Sequence, residues 1–155
     1  MKILAENKRA FFDYEILQTF EAGVVLFGFE VKAIKTGHVS LKGSYVTIKN
    51  NEVFLINALI PPYQQANTPE NYDTQRSRKL LLKKSEIKTL VGKAKTKGLT
   101  LVALRLYTKK SKGPQGRGKI KLEFAIAKGK RQIDKRETIK KRETDREIRR
   151  QFRGR

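Results

Sequence analysis

The 155-residue chain has no cysteine and no tryptophan, a single methionine, a single histidine and four prolines. Without cysteine there are no disulfides, no thiolate nucleophile and no cysteine-based zinc site. One histidine, His38, cannot make a histidine-rich metal centre. No apolar run approaches the ~20 residues that span a bilayer as a helix. The start, MKILAENKRAFFDYE, becomes charged before an apolar signal core can form, so a soluble intracellular protein, placed in the cytoplasm, is expected. Neither GxGxxG nor GxxxxGK[ST] occurs, which removes the phosphate-cradling glycine loops of nucleotide-binding folds.

Negative charge is also scarce. Thirty-six Lys/Arg face fifteen Asp/Glu, a formal net charge of +21. A balance this basic points to a nucleic acid or, failing that, an anionic membrane surface. The charge is unevenly spread. Lys128 to Arg155 hold thirteen Lys/Arg and five Asp/Glu, so 13 − 5 = +8 lies in the last 28 residues and +13 in the first 127. Apolar side chains in that stretch reduce to Ile133, Ile139, Ile148 and Phe152. Such a segment buries too little to offset its ordering entropy. Two units are expected: a folded body over residues 1–129, and a basic tail over 130–155 that is disordered in isolation. The tail has helical logic. Glu137 precedes Lys141 by four and Asp145 precedes Arg149 by four, the favourable order for helix ion pairs, so it is expected to become helical against a polyanion.

Met1 to Ala10 is polar and reads as loose, and a strand is expected from Phe11 through FFDYEILQTFEAGVVLF, with Gly23 and Gly28 marking a bulge and a turn. GFEVKAIKTG predicts a short helix closed by Gly37. Ser44 to Ile56 predicts a hairpin turning at Asn50-Asn51. ALIPPYQQANTPENYDTQRS reads as loop, and KLLL as a short strand. Ser85 is expected to cap a helix whose stripe is Ile87, Leu90, Val91 and Ala94. LTLVALRLY and IKLEFAIA read as long strands around the basic loop KKSKGPQGRGK. About six strands, two helices and a tail make a mainly β protein, a small closed antiparallel barrel rather than a doubly wound sheet.

For catalysis the inventory is thin. His38 follows Gly37 in a turn, where an exposed loop histidine is the plain reading. Asp13, Glu15, Glu21 and Glu30 are scattered by strand alternation and helical spacing rather than paired. No cofactor or metal is expected. Binding signals are stronger. Arg76, Arg78 and Lys79 precede a strand. Lys109, Lys110, Lys112, Arg117, Lys119 and Lys121 cluster around a hairpin tip. Lys128, Lys130 and Arg131 lead into the tail. Clustered cations of this kind neutralise phosphates. Tyr14, Tyr45, Tyr63 and Tyr72 are candidate stacking platforms, with Tyr63 and Tyr72 in the polar loop.

Taken in order, NKRAFFDYEILQTFEAGVVLFGFEVKAIKTG, SYV, RKLLL, KGLTLVALRLY and AKGKRQIDKRE resemble the SsrA-binding protein, or small protein B, family, bacterial partners of transfer-messenger RNA. The resemblance runs nearly end to end. It implies an oligonucleotide-binding-type barrel without catalytic activity that binds the tRNA-like domain of that RNA. It further implies delivery of the RNA to stalled ribosomes, with alanyl-tRNA synthetase and elongation factor Tu engaged indirectly through the RNA. Matched motif by motif, Glu21 in FEAG, Leu81 in RKLLL and Lys119 fall on the family's RNA-contacting positions, and Asn7 and Tyr14 share its N-terminal motif. Asp134, Lys135 and Arg136 match the tail's DKR element. Together with the cations Arg131, Lys140, Lys141 and Arg142, that element is expected to occupy the small-subunit decoding centre and mRNA channel in place of a codon. Ile133 stands where the family usually has a His or Tyr able to stack, and the loop Lys109 to Lys119 is longer and more basic than usual. The alternatives are a general ribosomal protein or RNA chaperone on the same barrel and, in another class, an RNA-processing enzyme using Glu21 or Glu30 with His38.

Overall fold

The structure is a computed structural model. It describes residues 2–63, 68–109 and 119–130, with three further positions at 142, 143 and 146. In chain order the elements are β1 (Lys2–Glu6), α1 (Lys8–Asp13), β2 (Tyr14–Val24), α2 (Gly28–Lys35), β3 (Tyr45–Lys49), β4 (Glu52–Ile56), β5 (Arg78–Leu81), α3 (Lys84–Ala94), β6 (Leu99–Lys109) and β7 (Lys119–Gly129). All pairings are antiparallel, in the order β1-β6-β3-β4-β5-β2-β7, and β7 returns to pair with β6. Six strands therefore close into a barrel, which removes the free sheet edges, and β1 adds a seventh strand along the open side of β6. The mainly β barrel expected from the sequence is the fold observed.

Local chemistry accounts for most of the elements. Asn50 and Asn51 take φ of 54° and 60°, and Lys49 pairs with Glu52, so the β3–β4 turn is the two-residue hairpin that asparagine tolerates. At the end of α2 the His38 N–H reaches the Ala33 carbonyl at 2.9 Å and the Gly37 N–H reaches that of Ile34 at 3.0 Å. Gly37 sits at φ 84°, so the pattern is a glycine-dependent Schellman stop. The core alternates as strands require. Phe20 and Ala22 of β2 meet Leu122, Phe124 and Ile126 of β7, with the Phe20 and Phe124 rings stacked at 5.6 Å. Ala33 and Ile34 of α2 and Leu90 of α3 complete it.

Two expectations are corrected at the N-terminus. Residues 2–6 are a strand rather than a loose end, and Phe11 to Asp13 belong to α1, so β2 begins at Tyr14. The cause is non-local. Alternation in β6 is broken between Ala103 and Arg105, where the register against β7 shifts by one. The Asn7 side-chain amide donates to the Ala103 carbonyl at 3.0 Å, and its backbone N–H to that of Leu104 at 2.7 Å. Asn7 thereby ties β1 and α1 to the irregular part of β6. Ala10 then covers Val102, Leu104, Ala125 and Ala127, a second apolar cluster on the outer wall, flanked by Phe11, Tyr14 and Ile16. Two smaller corrections follow. The bulge in β2 lies between Ile16 and Gln18 rather than at Gly23. The cap of α3 is Lys83, whose N–H donates to Glu86 at 3.3 Å, while Ser85 lies inside the helix.

Candidate nucleic-acid interface

β5 is four residues long and alternates in an unexpected sense. Arg78 and Leu80 point inward, and Lys79 and Leu81 point out. Arg78 is fully buried. Its guanidinium donates to Glu30 through Nε at 2.8 Å and lies 2.7 Å from the same carboxylate through Nη2. It also donates to the carbonyls of Ala58 at 2.8 Å, Thr74 at 3.0 Å and Arg76 at 3.1 Å, and to the Tyr72 hydroxyl at 3.0 Å. Glu30, also fully buried, accepts in addition from Arg76, from the Phe27 N–H at 2.8 Å and from the Tyr72 hydroxyl at 2.8 Å. Burial alone raises the Glu30 pKa, but donors from Arg76, Phe27, Tyr72 and Arg78 outweigh it and hold the carboxyl below its usual range. Burial, followed by the carboxylate, pushes Tyr72 up to about 12. This cluster corrects two expectations. Arg78 is not a surface phosphate contact, because its charge is spent inside, and Tyr72 is not a free stacking platform, because its hydroxyl pins the polar loop to the barrel.

The exposed side of β5 is where the expected residues meet. Leu81 is 56% exposed. It pairs with Gly23 of β2, and Gly23 pairs with Lys121 of β7, so the three form one row across three strands. Together with Val24, Leu26, Val31, Lys119 and Ile120 they line a groove of about 350 Å³. Glycine at the centre keeps its floor low. A Cβ there would stand 3.4 Å from the Leu81 Cβ and 3.8 Å from Lys121 Nζ. Two residues before Gly23 on the same outward face, Glu21 accepts from the Tyr107 hydroxyl through Oε2 and from Lys109 Nζ at 3.2 Å through Oε1. The Tyr107 bond is the largest influence on Glu21, and with Lys109 and Lys121 it outweighs desolvation and lowers the pKa. Glu21 is thus a fixed carboxylate beside Lys109 and Lys121, with Glu123 opposite it on β7. Lys79 lies apart from this row, 3.4 Å from Glu52 at the surface.

A second groove, of about 320 Å³, runs between α1 and the turn before β3, lined by Asn7, Arg9, Tyr14, Tyr45 and Thr100 among others. Here Tyr14 and Tyr45 line one groove, whereas the Asn7 amide is already committed to the Ala103 carbonyl. Lys128 opposes Glu15 across β7 and β2. The Lys130 N–H donates to the Asp13 carbonyl at 2.9 Å and its ammonium reaches that of Phe11 at 3.5 Å, so the chain leaves the barrel beside α1. Arg142 is exposed. Arg131, Ile133, Asp134, Lys135, Arg136, Lys140 and Lys141 lie outside the described residues, as do Lys110, Lys112 and Arg117. Sequence reasoning missed Gly23, Tyr107 and the pairing of Lys109 with Glu21. Register places Gly23 and Tyr107 in one row with Lys121, and side-chain geometry shows Lys109 reaching across rows to Glu21.

The proposed enzymatic residues do not converge. His38 is exposed, with Nδ1 2.9 Å from the Thr36 hydroxyl. Glu30 is neutralised by two arginines and Glu21 by a lysine. Among the described residues no group of three His, Cys, Asp or Glu side chains is placed to hold a metal, and no helix is long and apolar enough to cross a membrane.

A closed antiparallel barrel carrying a cationic, partly apolar groove on its outer wall belongs to the oligonucleotide-binding class of small β-barrels. The profile of the SmpB protein family matches residues 4–154. The chain is 48% identical over 149 residues to an SsrA-binding protein of Trichodesmium erythraeum, covering 96% of this chain and 91% of that protein. It is 51% identical over 152 residues to one of Cupriavidus necator, covering 97% and 96% respectively. Among solved structures it is similar to a chain of "tmRNA-SmpB: a journey to the center of the bacterial ribosome", with a TM-score of 0.65, 41% identity and coverage of 90% of this chain and 95% of that one. The chain belongs to the SmpB family of SsrA-binding proteins.

Proposed function

We propose that this chain is an RNA-binding adaptor of trans-translation. In this reading the barrel holds the tRNA-like domain of transfer-messenger RNA, and residues 130–155 act on the stalled ribosome, in the decoding centre and empty mRNA channel. Contact with alanyl-tRNA synthetase and elongation factor Tu runs through the RNA, and the protein itself performs no chemistry. The observation that carries the reading is the row Leu81–Gly23–Lys121 with Lys119 and Glu21 beside it. An exposed leucine suits a sugar or splayed base, the lysines suit phosphate, and the carboxylate suits N–H or 2′-hydroxyl donors. Family membership and the likeness to a structure named for tmRNA and SmpB support the same partner.

A salt-titrated binding comparison tests it. Transfer-messenger RNA should bind more tightly than ordinary tRNA at every salt concentration, and equal affinities would favour a general RNA chaperone. Lys119→Ala and Lys121→Ala should each weaken binding by about 1–3 kcal/mol and flatten the salt dependence by about one counterion. Removing residues 131–155 leaves the Lys130–Asp13 bond in place. It should preserve affinity for the RNA while abolishing peptide tagging on stalled ribosomes.

A further inference from the structure

Glu21 is held in place with acceptor capacity to spare. An ionised carboxylate offers about four acceptor sites. The Tyr107 hydroxyl uses one on Oε2 and Lys109 uses one on Oε1, so each oxygen keeps an acceptor site, and the side chain is 39% exposed. The two donors fix the rotamer, so a partner need not order it. Its ionised state is secured by the same Tyr107 bond and by Lys109 and Lys121. Two neighbouring acceptors in one plane call for a ligand with two neighbouring donors. Of the four RNA bases, guanine alone presents that on its Watson–Crick edge, through N1–H and the N2 amino group. Uracil offers one N–H between two carbonyls, which a carboxylate repels. Adenine and cytosine offer one amino group beside a ring acceptor. In a duplex this edge is occupied, so the guanosine must be unpaired.

The surroundings suit the rest of such a nucleotide. Gly23, next along the outward face of β2, lets Leu81 and the Lys121 ammonium lie low over the sheet, at 3.4 and 3.8 Å from where its Cβ would stand, and Leu81, 56% exposed, offers the apolar contact for a flat ring. Lys119 and Lys121, which line the same groove, supply cations for the flanking phosphates. We propose that this groove selects an unpaired guanosine, with Glu21 reading N1–H and N2–H and Tyr107 and Lys109 acting as positioning residues that aim it. The proposal rests on the reading of the chain as an RNA-binding protein and names the nucleotide its groove takes.

The test uses the full chain and the tRNA-like domain of transfer-messenger RNA, transcribed with sparse inosine in place of guanosine. Inosine keeps N1–H and lacks the N2 amino group. Bound and free RNA are separated and the inosine positions mapped. Inosine at one unpaired position should be depleted from the bound fraction. A transcript with that single replacement should bind about tenfold more weakly, the loss of one hydrogen bond to a charged acceptor. Glu21→Gln, at a surface position and checked for an unchanged melting temperature, should bind the guanosine RNA more weakly and lose the inosine penalty. Tyr107→Phe should retain the penalty but reduce it. RNA that binds with no position-dependent penalty, or a penalty that persists in Glu21→Gln, overturns the guanosine assignment and leaves RNA binding standing. RNA that does not bind at all overturns the underlying reading as well.

Discussion

Replacing Glu30 by glutamine keeps the shape of the side chain and removes its charge. The consequences follow from what surrounds it. Arg78 is fully enclosed and its closest anionic partner is this carboxylate, at 2.7 and 2.8 Å. Without it a buried guanidinium keeps three carbonyls and a hydroxyl as dipolar partners and loses its counter-charge. The glutamine amide also turns one acceptor edge into a donor facing either Arg76 or Arg78. Breaking a buried pair by removing one partner costs about 3–5 kcal/mol. At a urea slope of about 2 kcal/mol per molar, the unfolding midpoint should fall by about 2 M. Glu86→Gln is the matched control, because Glu86 caps α3 in the same way, accepting the Lys83 N–H at 3.3 Å at the surface. It should change stability by no more than about 0.5 kcal/mol. The pH dependence carries a sign of its own. The folded Glu30 pKa lies below the 4.5 of a free glutamate, so its contribution is fully present above that value and lost as pH falls through the folded pKa. The gap between native and Glu30→Gln midpoints should therefore be widest near neutrality and narrow in acid. A variant within about 0.5 kcal/mol of the native protein at neutral pH, or a gap that widens in acid, would refute the reasoning.

Asn7→Ala leaves the Ala103 carbonyl buried without its donor, and should lower stability by about 1–3 kcal/mol in chemical denaturation. Because the Asn7 N–H still reaches Leu104, amide exchange should loosen at β1 and α1 before the barrel opens. Gly37→Ala places a Cβ at φ 84° with no atom within 4 Å of it, so the expected loss of about 1–2 kcal/mol comes from backbone strain alone. A melting temperature unchanged in that variant would show that φ 84° at the end of α2 does not require glycine.

The barrel was legible because its signals are local. The Asn-Asn turn, the glycine that ends α2 and the alternation of Ile120, Leu122, Phe124 and Ile126 each need only neighbouring residues to be read. β1 was not, because five charged and apolar residues become a strand only by lying against Thr108 to Arg105, about a hundred positions away. Nor was α1, whose apolar side is matched by alanines that β7 turns outward. The site was legible in part. Leu81, Lys119 and Glu21 stand out by motif, but their meeting around Gly23 is a matter of register across β5, β2 and β7.

β5 shows why charge counting misassigns Arg78. In RKLL two cations precede two leucines, and composition suggests that the first pair faces solvent and the second faces the core. A strand allows no such division, because neighbours must point to opposite faces. One cation has to enter the barrel and one leucine has to leave it. Glu30 on α2, with Tyr72 and three loop carbonyls, makes the first tolerable. The second puts an apolar side chain on a cationic wall, next to the one glycine in β2. The buried ion cluster and the exposed leucine are therefore two faces of one constraint. Moving Arg78 outward would carry Leu81 into the core and erase the groove.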